Sequence, residues 1–381
     1  VTGRLWRLCA ITFAVSFASI LIFRGIHFFI KEQLAWGQTA RLVLALVYGA
    51  TYVVGALLSH PIAQRVGERR LAVLLTVGHA VCSVAFFFLP YEPAYIALYM
   101  LFAFLNAMLW PIVESYVSSG RTPRQQSKAI GAFNFAWSMS VPLAVASVGP
   151  LVKIRGGWLF IAAAVLIVIA LPMLAALPAR PQHLAHDHPD RPTDADLPTL
   201  RGYLASSRWS MLASYIFLSF LNPLFPDIFD RLGYGVVAAT LLTATIDAVR
   251  FGMFVLMWAF SGWHNRAAWL WAAALLLPLS FLGIALGPNI ATVMTAGVVF
   301  GVVEGIAYFA ALYYAVVVKN ASVDAGGAHE ALIGAGFGLG PLSALVAMSF
   351  AFPTVGMLVG SGPVIAICLA AGLRPLVRAR P

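Results

Sequence analysis

Twelve apolar runs follow one another along the chain, each near the roughly 20 residues that a helix needs to cross a bilayer. They cover residues 8–30, 38–59, 71–90, 94–116, 128–149, 157–177, 209–228, 235–260, 268–286, 290–317, 329–350 and 353–373. The connections are mostly short and hold turn formers, as in Pro90 to Pro93 and Gly287-Pro288-Asn289. Membrane barrel strands would alternate over about ten residues, a pattern this sequence does not have. Hydrophobic residues make up 61% and charged residues 10%, against about 45–50% and about 25% in soluble domains. The expected fold is therefore an all-α polytopic membrane protein. The first run contains Arg24 and is followed by Lys31-Glu32 without a small-residue cleavage site, so it reads as a span and not as a signal peptide. Cys9, Cys82 and Cys368 are scattered through apolar runs, which encodes neither a disulfide framework nor a zinc site.

Basic residues set the expected orientation. Arg4, Arg7, Arg65, Arg69, Arg70, Arg121, Arg124, Lys128, the arginines of the 178–208 connection, Arg266, Lys319, Arg374, Arg378 and Arg380 fall on one side. The other side keeps Lys31, Arg41, Lys153, Arg155 and Arg231. The positive-inside rule then puts both termini in the cytoplasm, in the inner (cytoplasmic) membrane of the cell. The net charge of +10 is explained by loops facing anionic lipid and requires no nucleic-acid partner.

One connection differs from the rest. Residues 178–207 are rich in Pro, Asp and His and separate a bundle at 1–177 from a second at 208–381. His183, His186 and His188 lie in it, and a solvated cytoplasmic linker explains them better than a metal site, since no second ligand cluster is visible. The two halves repeat. Placing 102-FAFLNAMLWPIVESYV-117 over 300-FGVVEGIAYFAALYYA-315 aligns Asn106 with Glu304 and Trp110 with Tyr308. A second match, IGAFNF at 130–135 with IGAGFG at 333–338, follows in the same order. A parallel repeat of two six-helix bundles accounts for both.

With twelve spans, a long central loop and the basic loop 60-HPIAQRVGERR-70 between spans two and three, the chain resembles the major facilitator superfamily of secondary transporters. That loop is similar to the family's G-x-x-x-D-R-x-G-R-R signature, with Arg65, Gly67, Arg69 and Arg70 on or beside motif positions. Gln64 stands where the family has its aspartate, and His60 where it has the first glycine. In the family that aspartate helps latch an inner gate by charge pairing, so the resemblance implies here a latch made by a neutral hydrogen bond or none. Glu114, toward the same end of its span, is expected to be a gate or interfacial residue.

Five charges inside the runs carry the functional reading, because a charge in lipid persists only with a partner, a water-filled cavity or a task. They are Arg24, Glu114, Asp247, Arg250 and Glu304. Thr240, Thr243, Asp247 and Arg250 fall on one face of the eighth run, and Asp247 and Arg250 pair across one turn. That pair fixes a helix interface, or it is a carboxylate whose protonation releases Arg250. Glu304 sits mid-span with Tyr308 one turn on, and Gly297, Gly301 and Gly305 around it allow close helix packing. With no basic residue within a turn, Glu304 is expected to exchange protons near neutrality, or else to be an inert protonated core acid. Asp247 and Glu304 are thus the proton candidates. Arg24 and Arg250 are charge partners or substrate anchors, with Arg24 either snorkelling to the outer interface or lining a cleft and pairing with Glu304. Asn106, Trp110, Trp137 and Tyr308 are cavity candidates, packing being the competing role. Glycines and Pro341 in 334-GAGFGLGP-341 predict a bendable helix.

No phosphate loop, H-E-x-x-H or G-x-S-x-G is present, so neither an enzyme nor a primary pump is indicated, and no cofactor or metal. The expected function is secondary active transport by alternating access, proton-coupled, with efflux of small amphipathic or drug-like compounds favoured. Import of a sugar, nucleoside or organic anion by proton symport is the alternative, and a non-transporting receptor or scaffold of the same fold is the rival of another class. The expected partners are a small-molecule substrate, protons and the lipid bilayer, with the chain acting as a monomer.

Overall fold

The computed structural model describes residues 2–89, 91–119, 121, 123–181, 195–319, 323–351 and 353–378. His183, His186 and His188 of the central connection lie outside them. Among the described residues there is no strand, and the helices are α1 (Thr2–Phe23), α2 (Gly25–Leu34), α3 (Gln38–Val66), α4 (Glu68–Phe88), α5 (Glu92–Ser118), α6 (Pro123–Arg155) and α7 (Trp158–Ala175), followed by α8 (Leu197–Leu221), α9 (Phe225–Arg231), α10 (Val236–Ala259), α11 (Ala267–Leu286), α12 (Ile290–Lys319), α13 (Val323–Met348) and α14 (Pro353–Arg378). Among the described residues, eleven spans are long and apolar enough to cross a membrane, with α1 and α2 together forming the first, and up to twelve if the pair α8 and α9, bent by 58°, is one more. The outward residues are apolar too, with Leu57, Phe88 and Leu279 each about two-thirds exposed (67%, 68% and 65%). A helix apolar all round belongs in lipid.

The turns follow from local chemistry. Gly67 joins α3 to α4 at φ 90, and Gly233 precedes α10 at φ 83. Glycine adopts this left-handed region without a steric penalty. The first span breaks at Arg24, whose N–H still bonds Ile20 O at 3.0 Å before Gly25 starts α2. Pro341 does not end α13, which runs on to Met348.

Two compact units form: Val1–His186 with Phe225–Ala244, and Asp187–Leu224 with Thr245–Pro381. In the first, α1 packs on α6 and α7 while α3 packs on α5. In the second, α8 is surrounded by α11, α12, α13 and α14. The segment Phe225–Ala244 is tied to the first unit by ions: Lys31 Nζ donates to Pro226 O and Asp230 Oδ2, both at 2.9 Å, and lies 3.1 Å from Asp227 Oδ1. Arg41, 1% exposed, reaches Asp227 and donates to Trp36 O at 2.7 Å. In sequence Lys31 and Arg41 count only toward the asymmetry of basic residues, and Asp227 and Asp230 stand out in no way.

One contact recurs at the repeat spacing. In the first unit a Cβ on Gly55 would meet Phe104 O at 2.7 Å and Ala107 Cβ at 2.9 Å. At the equivalent positions of the second, a Cβ on Gly305 would meet Met253 Cβ at 2.8 Å. The same helix crossing is closed by a glycine, contributed by α3 in one case and α12 in the other.

Gly301→Val should lower stability by about 1–3 kcal/mol through overpacking, because its Cβ would fall 2.6 Å from Ile246 O. Gly252→Ala, where a Cβ meets nothing within 4 Å, should be neutral or gain about 0.5–1 kcal/mol of helix propensity. Thermal unfolding midpoints of both variants in one detergent check the contrast.

Candidate functional site

Asp247 and Arg250 leave one side of α10, and Glu304 leaves the facing side of α12. The two helices come together because α12 presents glycine at each turn: Cβ atoms on Gly297 and Gly301 would meet Ile246 Cγ1 at 2.9 Å and Ile246 O at 2.6 Å. Glu304 lies between Gly301 and Gly305 and is thereby brought to Arg250. Arg250 Nη1 donates to Glu304 Oε1 at 2.8 Å, and Arg250 Nη2 lies 3.1 Å from Asp247 Oδ1 one turn earlier on its own helix. Asp247 and Glu304 are each 1% exposed and Arg250 4%. A guanidinium presents its N–H groups in a planar fork, so a single side chain can hold two carboxylates at once.

Two expectations change here. Glu304 does have a cation beside it, supplied by Arg250 from 54 residues earlier, a partner that no local reading of the tenth run could reveal. The four-residue polar face of the eighth run is also shorter than its spacing suggested. Thr240 and Thr243 donate back to Val237 O (3.1 Å) and Ala239 O (2.8 Å) of their own helix. Thr240 faces Gly149 of α6.

Aromatic rings adjoin the ion cluster. Tyr308 stacks on Phe254 at 5.2 Å and meets His329 edge-on at 4.9 Å, with Tyr215 6.3 Å away. Tyr215 in turn meets Phe337 edge-on at 5.7 Å and lies within electrostatic range of Arg250, Glu304, Glu330 and Asp247. Tyr215, His329 and Glu330 were not picked out in sequence. The last two lie two turns into α13, at the start of the eleventh apolar run, where a buried role leaves no periodic signal.

The first-half counterparts are placed otherwise. Asn106 Oδ1 accepts from Ser19 Oγ at 3.0 Å and Trp110 Nε1 at 3.2 Å, while its Nδ2 donates to Tyr48 OH at 3.2 Å. Trp137 Nε1 donates to Asn134 Oδ1 at 2.9 Å. Arg24 is 4% exposed with its guanidinium 5.8 Å above the Phe225 ring. It therefore does not snorkel, and the cation on Glu304 is Arg250. His79 is wholly buried, its ring stacked on Phe102 at 5.1 Å.

In the signature-like loop, the two departures from the family pattern meet: Gln64 Nε2 is 2.9 Å from His60 Nε2, one helical turn apart. Arg69 reaches the end of α7, donating from its side chain to Leu177 O at 3.2 Å and from its backbone to Ala179 O at 3.4 Å. A cation at a helix C-terminus is favourably placed against the exposed carbonyls. Arg65 and Arg70 are exposed, Gly67 supplies the turn, and Glu114 is half-buried.

The sequence profile of the Major Facilitator Superfamily matches residues 8–341. No curated protein matches the sequence significantly. Among solved structures, a bacterial homolog of the human lysosomal transporter Spinster, inward-facing and unoccupied, is similar at 16% identity and TM-score 0.67, over 99% of this chain and 94% of that one. The occupied inward-facing form of that homolog gives 15% and 0.68, over 99% and 93%. A POT family transporter in complex with 5-aminolevulinic acid gives 14% and 0.77, over 98% and 96%. At such identities the likeness is one of fold.

Arg250→Met leaves two buried carboxylates without their shared cation and should cost about 3–5 kcal/mol. The triple variant Asp247→Asn, Arg250→Met, Glu304→Gln removes all three charges and should recover most of that loss. Thermal unfolding in detergent, with the yield of monodisperse protein as a second readout, measures both.

Proposed function

The chain belongs to the Major Facilitator Superfamily, and on that premise we propose that it is a proton-coupled secondary transporter whose coupling site is Asp247, Arg250 and Glu304. The observation carrying this reading is the buried guanidinium held by two carboxylates on two helices. With all three ionised the group holds one negative charge in excess, which an apolar interior disfavours. Uptake of one proton neutralises it. Protonation of either acid weakens its hold on Arg250 and leaves the other as the anchor, so the proton and the position of Arg250 are linked.

The rings of Tyr215, Phe254, Tyr308 and Phe337 next to this group suit the apolar part of a substrate, and movement of small amphipathic compounds out of the cell is the reading they favour. Energy comes from the proton gradient across an inner (cytoplasmic) membrane, with both termini on the cytoplasmic side. Arg69, which holds the end of α7, is the inner-gate residue of this reading, and the His60–Gln64 pair, both on α3, makes no charge latch between helices.

Glu304→Gln keeps the amide in reach of Arg250 and mimics the protonated acid. Counterflow exchange in liposomes should survive it, while accumulation driven by an imposed pH gradient should fall at least tenfold and lose its pH dependence. Wild-type accumulation with an unchanged pH profile would remove Glu304 from coupling and leave Asp247, tested in the same way as Asp247→Asn.

Reporter fusions test the topology. A reporter within 183–196, or after Arg380, is expected in the cytoplasm, and one at 91–93 outside. Accessibility of the central connection from outside intact cells would reject the orientation.

A further inference from the structure

Helices α8 and α13 run side by side with their backbones touching. A Cβ on Gly336 would lie 3.0 Å from Tyr215 C, and one on Gly340 would lie 2.7 Å from Phe220 N and 2.8 Å from Ser219 Cβ. Both helices therefore advance together along the seam, from Tyr215 to Ser219 and from Gly336 to Gly340. Two turns back on each, on the same faces, are Arg208 and His329. The register that the glycines fix puts these two side chains level with one another, and each lies within electrostatic range of the other.

Neither has its hydrogen bonds made. His329 is 2% exposed, and both its ring nitrogens are buried without a partner. Arg208 Nε and Nη2 are likewise buried without one. Buried polar groups with no partner are rare in folded proteins and call for a reason. The nearby acids do not supply one. Asp247 and Glu304 are committed to Arg250. Glu330 follows His329 directly, so its side chain leaves α13 roughly 100° round the helix; it lies within range of Tyr215. The unmet groups are N–H donors in the planar fork that grips carboxylates and phosphates with two parallel bonds, and an imidazole N–H beside them. Apolar surface adjoins them, since the His329 ring meets Tyr308 edge-on.

We propose that Arg208 and His329 form a binding site for an oxyanion head group, a carboxylate or phosphate, borne by a small amphipathic molecule or by an anionic lipid. Arg208 supplies the bidentate grip, His329 a third donor, and the rings of Tyr308 and Tyr215 the wall against which the apolar body lies. The site goes beyond the coupling triad and does not rest on transport, because its occupancy is read at equilibrium with no gradient.

The full chain is placed in phosphatidylcholine nanodiscs and its thermal unfolding midpoint measured in sodium phosphate and in sodium chloride of equal ionic strength and pH. A second arm replaces part of the phosphatidylcholine with phosphatidylglycerol. Occupancy should raise the midpoint by about 2 °C or more. A rise with phosphate identifies a soluble oxyanion as sufficient, and a rise with phosphatidylglycerol alone identifies a lipid head group. In either case the rise should vanish in Arg208→Gln and in His329→Gln and persist in Arg201→Gln, an exposed arginine of the same helix. Arg208→Lys, which keeps the charge without the fork, should show less than half of it and stands in should Arg208→Gln fail to fold. No rise in either arm, or an equal rise in the His329→Gln variant, would overturn the site.

Discussion

A guanidinium withdrawn from water is tolerated only where charged or polar partners replace its hydration, and that requirement at Arg250 organises the second unit. Its two carboxylates come from different helices, so α10 and α12 must approach until a 2.8 Å bond can form. Branched side chains on the facing surface of α12 would hold the helices too far apart. Gly297, Gly301 and Gly305 remove that obstacle turn by turn, and the glycine spacing and the ion pair are one device. Tyr308 follows Glu304 by one turn and is thereby set against Phe254 of the same helix pair. The aromatic surroundings of the site thus inherit their position from the charge.

The first unit meets the same helix crossing without charge. At the position matching Glu304 it has Asn106, and at the position matching Arg250 it has Tyr52. The amide is satisfied by Ser19, Tyr48 and Trp110, all neutral. The hub of the first unit is thus built from neutral side chains, whereas the second unit places three charged ones at the same crossing. At this crossing the charges are therefore concentrated in one copy of the repeat, and the other copy keeps the packing alone.

Much of the architecture was legible because lipid imposes a pattern that sequence must display. A span has to be apolar over its whole length, and the eighth and tenth runs advertise Asp247, Arg250 and Glu304 by contrast with their neighbours. The pairing of Arg250 with Asp247 was readable because it is local. Its pairing with Glu304 was not, since it depends on how two helices pack, although the glycines recorded that packing. Lys31 and Arg41 counted only toward the charge asymmetry and Asp227 and Asp230 were not singled out, because nothing in their spacing says that the four meet. Thr240 and Thr243 misled in the opposite sense. A hydroxyl in a helix can return to its own backbone, so a shared face does not make a shared site.

Tyr308 connects the two polar groups of the second unit by contact. It stands one turn beyond Glu304 on α12, and its ring meets His329 of α13 edge-on. Tyr215 of α8 lies beside it and in range of all the charges of the triad. An oxyanion held by Arg208 and His329 would therefore lie against the same two rings that adjoin the charged triad. Coupling between sites needs an element with two arrangements that both sites bias. Arg250 holds one carboxylate of its own helix and one of α12, so a displaced guanidinium would change both contacts at once. On the proposed outward movement, driven by protons entering, substrate and proton would have to take turns on the charged cluster, each arriving only when the other has left.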